Sequence, residues 1–188
     1  MLGRDLDHDL RDETVKQFQH RYHIDVLQAN RVNQVAQQCF AGLSQNLPRN
    51  QLETWQKYLA WSAQLHELGM SIAHSGYHKH SAYILDNADM FGFSRQEQHL
   101  LAVLVLSHRG DTKKLLEVVT ERQWWPAVLS LRLAALFCRG RQDIQFPSDT
   151  SLFYDFAEKT CTLRLSAQWL QDNPLIAGSL EQEAQQWQ

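Results

Sequence analysis

Cysteine is scarce in this chain and shows no pairing. Cys39, Cys138 and Cys161 are an odd, widely spaced set in apolar surroundings, with no Cys-x-x-Cys motif. That excludes a disulfide framework and points to reduced thiols. Long apolar runs are missing too: none reaches the ~18 residues a membrane-spanning helix needs. Met1-Leu2-Gly3-Arg4-Asp5 has no apolar signal core, so a soluble, cytoplasmic protein with no membrane partner is expected. Charge of one sign is not in excess either. With a formal net charge of -3 nothing draws the whole molecule to nucleic acid, and any polyanion site must be a local patch. There is no Gly-x-Ser-x-Gly elbow, Walker loop, dinucleotide fingerprint or RNA-reading motif, which leaves nucleophile- and cofactor-based enzymes without support.

What is present suits a folded domain. The 188 residues are 44% hydrophobic and 21% charged, enough to bury a sizeable core. Leu27, Val32, Val35, Ala36, Phe40 and Leu43 recur at helical spacing after Asp25, a suitable N-cap, and predict a helix over 25–45 that ends before Pro48. A second is expected over 51–68 through Leu52, Trp55, Leu59, Ala63 and Leu65, with Gly69 as its stop and His66 in its last turn. After Ser75-Gly76 a helix is expected over 80–87. Ser94 with Glu97 forms a capping box ahead of Leu100–Leu106, apolar nearly all round, and another apolar helix follows Pro126, broken by Arg132. Past Gly140 the period changes to two. Leu152–Phe156 and Thr160–Leu165 predict a hairpin, which needs a supporting helix that 175–187 can supply. The expected fold is mainly α: a helical bundle over 1–142 and a small C-terminal α+β appendage, hairpin plus helix, over 143–188. The six tryptophans, Trp124-Trp125 included, read as core and interface anchors.

Four of the nine histidines, His66, His74, His78 and His80, fall in one stretch, and His108 sits beside Arg109. Such a set can hold a metal or a run of phosphates. His66-Glu67 resembles the His-Asp pair of HD-domain phosphohydrolases, but that metal site also needs an upstream histidine, and the corresponding helix offers Gln28. Glu67 reaches further than aspartate, and His78 and His80 lie ~200° apart on a helix. A metal centre at His66 and Glu67 is therefore the lesser alternative to a hydrogen-bonded core histidine. Phosphate suits the rest better. His74 to His80 combine a glycine turn, hydroxyls and Lys79 just ahead of a helix start. His108 and Arg109 can face them if the helices pack antiparallel. Lys113, Lys114 and Arg122 read as solvated surface. The phosphate-binding set is His74, His78, Lys79, His80, His108 and Arg109, with affinity expected to fall as salt rises and as pH rises from ~6 to ~8.

Leu65-His66-Glu67-Leu68-Gly69, the run from Ile72 to Leu85, Gly92–Glu97 and Ser107-His108-Arg109 resemble the C-terminal part of the exopolyphosphatase and guanosine pentaphosphate phosphohydrolase family. Asp9-Leu10-Arg11 and His20–Asp25 resemble the segment that follows its catalytic module, so the likeness runs from about 3 to 187. The His-Ser-Gly-Tyr-His-Lys-His-Ser-Ala-Tyr run is more like the exopolyphosphatase branch. The resemblance implies an HD-like helical domain that lines a polyphosphate channel and helps dimerise. It also implies a small mixed domain, expected to carry a further closing strand beyond Gln188, and actin-like catalytic domains as an N-terminal partner. The chain itself is then expected to bind inorganic polyphosphate without cleaving it. It would carry no cofactor or catalytic residue, whereas the parent hydrolase would use Mg2+. The rivals are a divalent-metal HD phosphohydrolase acting on nucleotides and a structural homodimerisation module built on Trp124, Trp125, Trp169 and Trp187.

Overall fold

A computed structural model describes residues 2–188, with side chains from Leu10 onward; Asp9, used in the resemblance above, lies outside the described side chains. The order is α1 (Leu2–Arg21), α2 (Val26–Leu43), α3 (Arg49–Leu65), a 3-10 turn (Leu68–Ser71), α4 (Tyr77–Asn87), α5 (Arg95–Leu106), α6 (Thr112–Val118), a 3-10 turn (Arg122–Trp124), α7 (Trp125–Phe137), β1 (Ser151–Asp155), β2 (Thr160–Arg164), α8 (Ala167–Asp172) and α9 (Pro174–Gln186). The mainly helical bundle with a small α+β appendage is therefore the observed fold. No helix among the described residues is long and apolar enough to cross a membrane.

Local chemistry sets the helix starts. Asp25 accepts the Gln28 amide at 3.1 Å, and Ser94 and Glu97 complete both halves of the capping box, a device that satisfies two otherwise orphan amides. Pro126 sits in the first turn of α7, where its missing N–H costs nothing. The core has two lobes among the described residues. One joins α2, α3 and α7 to the hairpin and α9; the other joins α1, α3, α4 and α5. Helix α7 is buried almost all round, and the Arg132 that interrupts its sequence pattern is an internal tie, 4% exposed. Its guanidinium pairs with Glu183 on α9 and donates to the Gly110 and Ser107 carbonyls at 2.8 and 3.3 Å.

Three expectations need correction. Gly69 does not stop α3, which ends at Leu65; it is buried in the 3-10 turn, where a Cβ would lie 2.2 Å from the Tyr77 carbonyl oxygen. Only glycine allows that turn to press against α4. Helix α4 starts three residues before the expected His80, directly after Gly76, whose φ is +66°. The hairpin, in register Tyr154 opposite Cys161, leans on α2, where a Cβ at Gly42 would meet the Leu152 carbonyl oxygen at 2.4 Å, while α9 packs on α7. Helices α1, α6 and α8 were not expected from the sequence. Among the tryptophans, Trp125 meets Trp187 edge-on and Trp169 packs on Phe137 and Phe146, while Trp187 keeps 38% of its surface exposed.

Candidate functional site

The histidine-rich stretch divides into a closed cluster and an open cleft. In the closed cluster, His66 caps the end of α3 and Glu67 follows it, 3% and 6% exposed. A carbonyl can only accept, so His66 Nδ1 carries the proton donated to the Ala63 oxygen at 2.6 Å. Burial pushes the His66 pKa down and outweighs the attraction of Glu67. Glu67 is held by Arg141, Nη2 to Oε2 2.6 Å, and the same guanidinium reaches Asp25 at 2.9 Å. Gln28 gives its amide to the Cys138 carbonyl at 2.8 Å and accepts from Arg31. The position where a metal would meet a carboxylate is thus filled by a guanidinium. Among the described residues no three His, Cys, Asp or Glu side chains converge as ligands, so these residues do not form a seat for magnesium or another divalent ion, which takes several oxygen or nitrogen ligands at once.

The cleft lies between the start of α4, the α5–α6 loop and α6, with a cavity of about 410 Å³. It brings together His78, Lys79 and Arg109, and adds Lys114, a residue whose sequence context predicts solvated surface. Asp111 and Glu117 line it as well. Neither Lys79, Arg109 nor Lys114 makes an ion pair among the described residues. Gly110 shapes the cleft: its φ is +92°, and a Cβ there would lie 3.1 Å from His78 Nε2. The helix start itself contributes less than expected, because the Tyr77 and Lys79 amides turn back onto the His74 and Gly76 carbonyls.

His74 and His80 stand outside this cleft. His74 is exposed and stacks on Tyr77 at 6.0 Å, and His80 packs its Cβ against Gly69. His108 is not presented to a ligand at all. It is 2% exposed; Nδ1 donates to the Val105 carbonyl, and Nε2 accepts from the Tyr77 hydroxyl at 2.9 Å. Both nitrogens are therefore used, and burial, with His66 nearby, holds its pKa well below the usual histidine value. The sequence reading missed Tyr77. This buried ring carries the Arg109 guanidinium 4.7 Å from its centre and so fixes the cation that faces His78. It also missed Arg141, which follows an apolar helix with no periodic signal. A larger cavity, about 770 Å³ between α1, α2 and α3, contains none of the expected site residues.

The fold and these two clusters define a helical domain with a closed, internally paired cluster at Glu67 and a cleft in which three fixed cations share the wall with two carboxylates. Residues 10–184 match the family described as Ppx/GppA phosphatase, domain III, and the chain belongs to that family. It is 35% identical over 190 residues to the guanosine-5'-triphosphate,3'-diphosphate pyrophosphatase of Pseudoalteromonas translucida, covering 95% of this chain and 36% of that protein. Proteins of the same name from Vibrio atlanticus and Aeromonas hydrophila are 35% and 33% identical over 94% and 100% of this chain. The chain spans little more than a third of the length of these relatives. All three names refer to guanosine-5'-triphosphate,3'-diphosphate, and none of the three is named an exopolyphosphatase.

Proposed function

We propose that this chain is the phosphate-binding C-terminal region of a Ppx/GppA-type phosphohydrolase whose chemistry takes place in other, actin-like domains. The carrying observation is the cleft in which Lys79, Arg109 and Lys114 converge without forming an ion pair among the described residues, although Asp111 and Glu117 share its wall. Fixed cations with several donors suit phosphoryl oxygens, and charge-assisted bonds are the stronger class of hydrogen bond. Lys79, Arg109 and Lys114 contact successive phosphates, with His78 beside them. His74 and His80 lie outside the cleft and take no part in it, and His108 acts only through Tyr77 by positioning Arg109. The ligand is inorganic polyphosphate. The printed names of the relatives favour a second reading, in which the cleft holds the phosphates of guanosine 5'-triphosphate 3'-diphosphate. Magnesium acts, on either reading, in the catalytic part.

Titration of the purified chain with long-chain polyphosphate and with guanosine 5'-triphosphate 3'-diphosphate, at two salt concentrations, tests this. Polyphosphate binding that weakens steeply with salt is expected. Binding of the guanosine compound alone would move the assignment to the second reading, and affinity indifferent to salt would refute both.

A further inference from the structure

The cleft carries three fixed cations, Lys79, Arg109 and Lys114, against two carboxylates, Asp111 and Glu117. That is a thin positive excess for a site meant to hold a polyanion. The remaining titratable group in its wall is His78, part-buried, whose Nδ1 is shut away from solvent with no hydrogen-bond partner. A buried polar atom without a partner loses the hydration it would otherwise keep, so its state is easily changed by what arrives beside it.

The surroundings of His78 set fixed cations among neutral and acidic groups. Its own helix contributes Lys79 and His80. The α5–α6 loop contributes Arg109 and the buried His108, whose ring centre is 6.3 Å away, and Tyr77 meets it edge-on at 6.4 Å. Arg132 of α7 reaches the same loop through the Gly110 carbonyl, with its charge taken up by Glu183. Asp111 and Glu117 are the carboxylates that share the cleft wall. Burial first, then Arg109 and Lys79, push the His78 pKa down to about 4, so the empty cleft holds a neutral ring at physiological pH.

We propose that His78 couples anion binding to proton uptake: when phosphate groups enter the cleft, the ring gains a proton and becomes the fourth cation of the site. This rests on the reading of the cleft as a phosphate site. An incoming anion offsets the repulsion from Arg109 and Lys79 that keeps the ring neutral, and by linkage a proton that the anion stabilises stabilises the anion equally. The sign follows directly. The occupied site has the higher His78 pKa, so between the empty and occupied values binding takes up protons and affinity rises as pH falls. Above the occupied value the ring is neutral in both states and the dependence disappears.

Calorimetric titration at pH 6 in two buffers of different ionisation enthalpy measures the protons taken up. Long-chain polyphosphate is the probe, because its internal phosphates stay ionised across this range and the protons counted enter the protein. Uptake of roughly half a proton or more per chain is expected for the native protein, close to none for His78→Gln, and the native value for His99→Gln, whose ring pairs with Asp86 on the surface. Imidazole nitrogen NMR of the unmodified chain gives a readout independent of any variant: the His78 signals should move to imidazolium values on adding polyphosphate. Binding with no uptake, uptake that survives in His78→Gln, or His78 signals that stay neutral would overturn the coupling and leave the phosphate reading standing. No binding at all would overturn both.

Discussion

The closed cluster around Glu67 and the open cleft around His78 are built from the same kinds of residue, histidine, carboxylate and arginine, yet one is spent and the other is available. At Glu67 the protein supplies its own counter-charge: Arg141 pairs with it and with Asp25, and His66 satisfies itself on a backbone carbonyl. In the cleft, Tyr77 holds Arg109 through a ring face rather than a carboxylate, and Lys79 and Lys114 add charge without a pair. Composition therefore does not separate a structural polar cluster from a binding site. Whether the counter-charge comes from the chain or is left to a ligand does.

The sharpest way to break that contrast is to unpair a charge the protein has neutralised. Arg132 is the most completely buried, 5% exposed against 15% for Glu183, and Arg132→Met leaves Glu183 without its partner; a loss of about 3 kcal/mol in denaturant unfolding is expected. Arg141→Ala strands Glu67 in the same way. Because the Arg141 side chain is 44% exposed, solvent screens the loss to about 2 kcal/mol, and Glu67→Gln added to Arg141→Ala should restore most of it. An unchanged midpoint in Arg141→Ala would show that the guanidinium does not hold the cluster shut.

Acid probes the buried histidines. His66 and His108 have folded pKa values below the unfolded value of about 6.5, so the unfolded chain binds more protons in that interval. Their stabilising contribution is complete above pH ~6.5 and is lost as pH falls towards the folded values, about 1.4 kcal/mol per pH unit for each group. Unfolding followed from pH 7.5 to 5 should show stability falling on the acid side, and a flat profile would contradict the buried, neutral assignment. The smallest effect is expected from Tyr77→Phe, which leaves His108 Nε2 without its donor and costs about 1 kcal/mol while also loosening Arg109, so that polyphosphate affinity drops with it.

Much of the fold was legible because period and capping agree in α2, α5, α7 and the hairpin. Helix α1 was not read, although Val15 and Phe18 in its buried face stand at helical spacing, because polar and charged residues surround them. Gly69 was misread for a physical reason: a glycine needed for close approach looks in sequence like one needed to stop a helix. In the site, His78, Lys79 and Arg109 could be picked from composition and do converge. The burial of His108 could not, since Ser107-His108-Arg109 after an apolar run looks like an exposed helix end, and only the long-range contact with Tyr77 encloses it. Arg141 is joined to Glu67 across 74 positions and carries no local signal.

The contrast itself is tested most directly by measuring polyphosphate affinity in two variants that remove equal charge. Lys79→Ala/Arg109→Ala takes two cations from the cleft, and Lys57→Ala/Arg95→Ala takes two from elsewhere on the surface. The cleft variant should lose affinity by about tenfold or more, equivalent to about 1.4 kcal/mol or more, and the surface variant less than about twofold. Equal losses would mean that polyphosphate responds to overall charge and that the cleft is not its site.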